Sequence, residues 1–123
     1  MSNQLHTRER SSTAARKQDL LEAITAYMDA NLTRRLTLRE VSEHFQVSIS
    51  TVTQLFQKRA DHTFHQYLTQ RRMAAAKDLI REGTPLEEVG RRVGYTDHSS
   101  FYRAFRQSFG VSPREYRRGD EKK

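Results

Sequence analysis

Two stretches of this 123-residue sequence combine polar side chains at helical spacing with the excess positive charge of the chain, which is +7. Residues 45–75 hold four basic residues against one acid, and residues 98–118 hold five against one. The polar positions on the outer faces of these stretches are Ser50, Thr51, Thr53, Gln54, Gln57 and Lys58, and then Ser99, Ser100, Tyr102, Arg103, Arg106 and Gln107. Hydroxyl, amide and guanidinium groups donate hydrogen bonds to base edges and phosphate oxygens, whereas phosphates repel carboxylates. Because neither face contains an acid, both are predicted to bind nucleic acid.

Other chemistries have little support in the sequence. The chain has no cysteine, which excludes disulfides, thiolate zinc sites and cysteine nucleophiles. His62 and His65 have no third ligand at suitable spacing, so we interpret them as exposed side chains, and no serine stands in a strand-to-helix elbow. The longest apolar run, Met73 to Ala76, is far shorter than the ~20 residues of a membrane span. We therefore expect no enzyme, no metal, no cofactor and no membrane contact, and a cytoplasmic location.

The elements that must position the two faces follow from the hydrophobic spacing. Apolar residues recur at intervals of three and four from Leu20 onwards, and no segment alternates as a strand does, so the sequence predicts an all-α fold without a sheet. A hydroxyl residue followed three positions later by Glu marks a helix start as a capping box at Thr37, Thr84 and Ser112. His44 stands among apolar positions and is predicted to be partly buried.

The apolar pattern also repeats along the chain. Leu38, Val41, Phe45 and Val47 return 48 positions later, and Val52, Leu55, Phe56 and Tyr67 return 49 positions later. Each repeat has the pattern of a helix, a short turn and a second helix, which is typical of the helix-turn-helix, whose second helix enters the DNA major groove. The predicted organisation is a disordered arm over 1–14, a first helix-turn-helix subdomain over 15–62, a linker helix over 63–82, a second subdomain over 83–118 and a disordered tail over 119–123.

The second repeat contains a long run of residues at characteristic spacing, Val93-Gly94-Tyr95-Thr96-Asp97-His98-Ser99-Ser100-Phe101-Tyr102-Arg103-Ala104-Phe105, followed by Phe109-Gly110-Val111-Ser112-Pro113 and Tyr116-Arg117. This run resembles the C-terminal signature of the AraC/XylS family of bacterial transcription regulators. Residues 36–56 resemble the first helix-turn-helix of that family more loosely, and together the two matches cover about residues 17–118. The resemblance implies seven helices in two helix-turn-helix subdomains joined by a long linker helix. Short stand-alone regulators of the MarA and SoxS kind, or an isolated C-terminal domain, have this form.

The resemblance further implies that both second helices enter adjacent major-groove segments on one face of the duplex, roughly 34 Å apart. The base contacts that it implies are Ser50, Thr53, Gln54, Ser99, Ser100 and Arg103. The backbone contacts that we predict are Ser48, Thr51, Gln57, Lys58, Arg59, Arg72, His98, Arg106 and Arg114. Arg103 is the strongest single candidate, because a bidentate contact between Arg and guanine contributes about 1–3 kcal/mol of discrimination.

Two residues depart from the family pattern at turns. Gln46 lies in the first turn, where the family often has Gly, and Asp61 stands where the second repeat has Gly110. Because Asp tolerates a left-handed backbone better than most residues, we expect the fold to accommodate Asp61 in that conformation.

Two functions remain open at this point. The first is sequence-specific binding of double-stranded DNA by a bacterial transcription regulator that acts as a monomer, with RNA polymerase as its protein partner. The second is a basic helical module that binds protein or structured RNA without reading sequence. Competition by random duplex DNA separates them, because specific binding alone survives an excess of competitor.

Overall fold

The computed structural model describes the backbone of residues 2–121 and the side chains of residues 14–119. Residues 2–121 form seven helices and no strand, which confirms the all-α prediction. The helices are α1 (Ser2–Ala30), α2 (Leu38–His44), α3 (Ile49–Arg59), α4 (Phe64–Arg81), α5 (Leu86–Arg92), α6 (His98–Phe109) and α7 (Pro113–Glu121). None of these helices has both the length and the apolar character that would let it cross a membrane.

The two terminal helices extend beyond the ends that the sequence predicts. Helix α1 begins at Ser2 and so includes residues 2–14, for which the sequence predicts a disordered arm, and Met1 lies outside the described residues. Helix α7 continues to Glu121 and so includes residues 119–121 of the predicted tail. Residues 122–123 also lie outside the described part. Residues 2–14 contain neither Pro nor Gly, so no residue there interrupts a helix. The prediction relied on the spacing of apolar residues, which indicates the buried face of a helix and gives no signal for a helix without one.

The described residues divide into two compact units. The first unit comprises α1, to its end at Ala30, and Thr37–Phe64, while the second comprises Asn31–Leu36 and the residues from His65 onwards. Helix α4, which corresponds to the predicted linker helix, therefore belongs almost entirely to the second unit. The reason is that its apolar stripe forms part of the core of that unit.

The first unit has a core in which α3 contacts both α1 and α2. Thr37 caps α2 by accepting a hydrogen bond from the backbone N–H of Glu40 at 3.1 Å, which confirms this helix start. His44 is exposed, and its ring stacks on Tyr27 at 4.1 Å between centroids, so the prediction that it is partly buried is wrong. Its position in the last turn of α2 places its ring beyond the core. The buried apolar side chains are Leu21, Ile24, Met28, Val41, Val52, Leu55, Phe56 and Phe64.

The second unit has a core built from α4, α5 and α6. Its buried side chains are Met73, Ala76, Ile80, Val89, Val93, Phe101 and Phe105. Phe109 and Tyr116 pack against this core while remaining partly exposed. The capping box at the start of α7 is confirmed, because Ser112 Oγ accepts from the Glu115 N–H at 3.1 Å and Glu115 Oε2 accepts from the Ser112 N–H at 3.4 Å.

The predicted capping box at Thr84 is wrong. Helix α5 begins at Leu86 with Pro85 as its N-cap, and no side chain caps it. Thr84 instead belongs to the end of α4, because its N–H donates to the carbonyl of Leu79 at 3.0 Å. Its own carbonyl accepts a hydrogen bond from Arg117 Nη2, which also lies 3.4 Å from the carbonyl oxygen of Ile80. The same Thr therefore terminates one helix instead of starting the next.

The two turns between paired helices have the same left-handed backbone but different residues. Gln46 has φ of 56° in the first unit, and Gly94 has φ of 97° at the equivalent place in the second. Asp61, in contrast, is not left-handed, so that expectation is wrong. Helix α3 ends at Ala60 in an extended conformation, whereas α6 ends at Gly110 with φ of 77°. The strained position of the first repeat is therefore Gln46 and not Asp61.

We predict that Gln46→Gly raises the free energy of unfolding by about 0.5–1 kcal/mol. A left-handed backbone strains a residue that has a Cβ, and glycine removes that strain at a smaller cost in unfolded-state entropy. Urea unfolding of both proteins measures the difference. Gln46→Ala is the matched control, because it shortens the side chain and retains the strain. Equal stability of the Gly and Ala variants would show that the backbone of this turn is unstrained.

Candidate nucleic-acid interface

Helix α3 presents an exposed polar face. Its apolar residues Val52, Leu55 and Phe56 are buried, and they fix which side of the helix faces outward. The exposed polar residues are Ser50, Gln54, Gln57, Lys58 and Arg59, and the half-buried ones are Thr51 and Thr53. No acid occurs between Ile49 and Arg59, and both cations lie in the last turn. The face can therefore donate hydrogen bonds along its length and attract anions at its C-terminal end.

The first turn of α3 is held by two hydroxyl groups. Ser48 Oγ accepts a hydrogen bond from the Thr51 N–H at 3.0 Å, and the two side-chain oxygens lie 2.9 Å apart. One hydroxyl hydrogen is used in this mutual contact, and the other remains available for an acceptor such as a phosphate oxygen. Ser48, which the sequence predicts as a backbone contact, thus also caps the helix, and Thr51, another predicted contact, is bonded to that cap.

Helix α6 presents the corresponding face of the second unit. Ser99, Arg103, Arg106 and Gln107 are exposed, and Ser100 is half-buried. Phe101 and Phe105 are buried on the opposite side, and the helix contains no acid. The two faces therefore agree in polarity, but α6 carries two arginines where α3 carries mainly hydroxyl and amide groups.

The start of α6 depends on Asp97, a residue to which sequence analysis assigned no role. Asp97 Oδ1 accepts a hydrogen bond from the Ser100 N–H at 2.7 Å, and the Ser100 hydroxyl donates to Asp97 Oδ2 at 3.0 Å. An Asp immediately before a helix is a common N-cap, so its position in the sequence contains the signal. Because the Ser100 hydroxyl is already donated, Ser100 is a weaker candidate for base contact than Ser99 or Arg103.

These interactions also hold the pKa of Asp97 below its ordinary value. The largest cause is the hydrogen bond from the Ser100 backbone, followed by the bond from its hydroxyl, and the positive charge of Arg103 adds a smaller effect. Each of them favours the ionised carboxylate. The cap is therefore strongest when Asp97 is charged.

We predict that this cap gives α6 a pH-dependent stability. The folded state has the lower pKa, so the stabilisation is complete above the ordinary value of 3.8 and is lost as the pH falls through the lowered value. The unfolding midpoint of the wild-type protein should therefore decline below pH 3.8 relative to that of Asp97→Asn, which keeps an N-cap without a charge. Thermal unfolding between about pH 2 and 7 measures this difference.

The cap of α3 provides the control for this pH dependence. Its hydroxyl does not titrate, so Ser48→Ala should cost about 1 kcal/mol at every pH. A difference between wild type and Asp97→Asn that stays constant over the whole range would contradict the role of the ionised carboxylate.

Arg72, a predicted contact to the DNA backbone, is half-buried. Its Nη2 donates to the carbonyl of Arg34 at 2.8 Å, and its guanidinium carbon lies 5.6 Å from the centroid of the Tyr95 ring. Burial lowers its pKa from the ordinary value. At Gly94 an added Cβ would lie 2.4 Å from the carbonyl oxygen of Leu32, so glycine permits this close packing. Arg72 therefore secures the connection between α1 and α2, which makes it a weaker candidate for a phosphate contact than the exposed cations.

The remaining predicted contacts of the second unit are exposed. Arg106 lies on the face of α6, and His98 and Arg114 line a common groove of about 480 Å³. The groove also contains Glu87 and Glu115, so its charge is mixed. Among the side chains that the structure describes, no group of three metal-ligating residues could hold a metal ion.

The fold is found in known proteins. A model of the helix-turn-helix domain matches residues 41–119. The HTH-type transcriptional regulator YijO of Escherichia coli K12 is 37% identical over 107 residues, which make up 86% of this chain and 38% of that protein. The chain thus spans about two fifths of the length of the curated relatives it matches.

Two solved structures illustrate the similarity in fold. The C-terminal domain of AraT, a response regulator from Geobacillus stearothermophilus, is 30% identical with a TM-score of 0.79, and the match covers 81% of this chain and 84% of that one. The DNA-binding domain of AdpA, solved in complex with a target DNA, is 22% identical with a TM-score of 0.76, over 80% of this chain and 90% of that one. At this identity the AdpA domain supports the fold alone.

Proposed function

This chain belongs to the AraC-type helix-turn-helix domain family, and on that basis we propose that it binds double-stranded DNA sequence-specifically, as the DNA-binding part of a bacterial transcription regulator. The observation that carries the proposal is the pair of exposed, acid-free faces on α3 and α6. Each face lies on the second helix of a helix-turn-helix and begins at a defined N-cap. The chemistry of both faces matches that of a major groove, which presents base acceptors between two rows of phosphates.

The two faces differ in the bases that they can recognise. In the first unit, Gln54 can form a bidentate pair with adenine, while Ser50 and Thr53 offer hydroxyl groups. In the second unit, Arg103 can form a bidentate pair with guanine, and Ser99 precedes it by one helical turn. Ser100 is a weaker candidate for a base contact because its hydroxyl donates a hydrogen bond to Asp97. We therefore expect the second unit to contribute more to base recognition, since it alone carries an exposed arginine near the start of its recognition helix.

The remaining exposed donors supply contacts to the DNA backbone. They are Ser48, Thr51, Gln57, Lys58 and Arg59 in the first unit, and His98, Arg106 and Arg114 in the second. Each phosphate neutralised by a cation releases counterions, so the affinity should fall steeply with salt. These contacts position the protein on the duplex without reading its sequence.

One chain supplies two recognition helices, and this favours a monomer on a bipartite site. Proteins with a single helix-turn-helix contact two half-sites as dimers, whereas one copy of this chain carries two such motifs. We infer that the regulator acts on DNA in the bacterial cytoplasm, contacts RNA polymerase there and catalyses no reaction. The direction of regulation depends on where the site lies relative to a promoter.

The experiment that tests this function is selection of bound duplexes from a random pool, followed by sequencing. We expect an asymmetric site of about 20 base pairs with two separated sub-elements, one for each recognition helix. Binding to this site should persist in an excess of random duplex at physiological salt. If random duplex competes as well as the selected site, the specific function is excluded, and an interaction module without sequence readout becomes the better description.

A further inference from the structure

A groove of about 430 Å³ runs beside the recognition helix of the first unit, between α1 and α3. Its lining residues are Lys17, Leu20, Thr51, Gln54, Leu55, Lys58 and Arg59. Leu55 is buried at its floor, and Leu20 is half-buried beside it. The groove is thus a concave surface formed by two helices of the same unit.

The groove is suited to an anion. Lys17, Lys58 and Arg59 are exposed, and none of the lining side chains is acidic. Lys17 contributes from α1, whereas the other two cations come from the last turn of α3. Cations from two helices therefore converge on one polar opening, and the hydroxyl of Thr51 and the amide of Gln54 lie in the same wall.

The position of the groove on α3 indicates which anion it meets. Thr51, Gln54 and Lys58 are spaced by three and four residues, so they form one stripe of α3, and this stripe meets the base-reading residues at Gln54. An α-helix with its side chains is roughly 10–12 Å across, and the major groove is about 12 Å wide. A helix that occupies the major groove therefore has phosphates on both sides. The element flanking α3 on the Thr51 side is α1.

We propose that this groove binds a phosphodiester segment of the strand that borders the first major-groove segment, and that Lys17 is a contact to DNA from outside the two helix-turn-helix motifs. The inference rests on the proposed function and adds α1 to the elements that contact DNA. This contact is not evident from the amino-acid sequence, because residues 17–44 carry a net charge of −1 and therefore do not stand out as basic. The positive charge that would contact the phosphate is that of Lys17 alone, which the fold places beside α3.

The test is the salt dependence of binding to the selected duplex. For Lys17→Ala, the slope of log affinity against log salt should become shallower by about 0.9, the effect of one lost phosphate contact, while the preferred sequence stays the same. Lys17→Arg should retain the slope. The matched control is Arg39→Ala, which removes an exposed cation of α2 that does not line the groove and should leave the slope unchanged.

Ethylation interference locates the contact. With the wild-type protein, ethylation of a phosphate bordering the first sub-element should block binding, and with Lys17→Ala that phosphate should become tolerant. Equal slopes for Lys17→Ala and Arg39→Ala, with specific binding intact, would overturn the inference and leave the proposed function standing. That outcome would favour an acidic protein segment as the occupant of the groove. Failure of the wild-type protein to select any duplex would overturn the proposed function itself.

Discussion

Replacing Arg103 by Ala should lower the affinity for the selected DNA site roughly 5- to 150-fold, which corresponds to about 1–3 kcal/mol. Arg103 is exposed in the second turn of α6, a helix that Asp97 caps and two buried phenylalanines anchor. A guanidinium held in this way can donate two parallel hydrogen bonds to guanine O6 and N7. Alanine donates none, so the loss should be confined to the base pair that Arg103 reads. Binding to duplexes with each base at that position measures the effect.

The control for Arg103 is a cation that contacts phosphate alone. Lys58→Ala should weaken binding to all sequences alike and make the salt slope shallower by about 0.9. Arg103→Lys should fall between wild type and Arg103→Ala, because an ammonium group cannot reproduce the planar fork of the guanidinium. Equal losses on selected and random DNA for Arg103→Ala would mean that Arg103 contacts the backbone, and base recognition would have to be reassigned to Ser99.

Replacing Phe105 by Ala should lower the free energy of unfolding by about 3–5 kcal/mol, the usual cost of deleting a buried aromatic ring. Phe105 has no exposed surface. Its ring centroid lies 4.7 Å from that of Phe109, 5.7 Å from that of Tyr116 and 5.9 Å from that of Phe101. The ring therefore joins α6 to α7, and its loss leaves a cavity between them. Urea unfolding measures the change.

Two further variants make the Phe105 result interpretable. Phe105→Leu keeps most of the apolar volume and should cost clearly less, so it provides a value if the Ala variant does not fold. Gln107→Ala changes an exposed residue of the same helix and should shift stability by less than about 0.5 kcal/mol. A cost below about 1 kcal/mol for Phe105→Ala would show that α6 is held by other contacts.

The helix-turn-helix pairs could be predicted because their signals are local. Val52 and Phe56, or Phe101 and Phe105, are four residues apart, and this spacing alone places them on one side of a helix. The opposite side of each helix is then exposed by elimination, and the candidate faces follow from this. The repeat places Gln46 in a turn, opposite Gly94, so its place in the fold could be predicted. Its left-handed backbone angle could not be predicted from the sequence.

The features that escaped prediction depend on partners far away in the sequence or on competition between neighbouring elements. Arg72 bonds to a carbonyl 38 positions away, and no spacing rule relates the two residues. Thr84 has the residue type and spacing of a capping box, but its N–H donates to the Leu79 carbonyl at the end of α4. Ser100 is polar and lies on the outer face, yet its hydroxyl is already bound to Asp97. In each case, tertiary structure decides which hydrogen-bonding groups remain available to a ligand.

The assignment of Asn31–Leu36 to the second unit limits how the protein can be dissected. No single cleavage point separates the two units, because a cut between Phe64 and His65 leaves this segment on the wrong fragment. The C-terminal fragment would lose Leu36, which is 5% exposed, and Arg72 would lose its acceptor at Arg34. An autonomous second half would therefore need the six-residue segment supplied as a separate peptide or rejoined by circular permutation. Swapping recognition modules between relatives consequently requires two junctions around this segment rather than one.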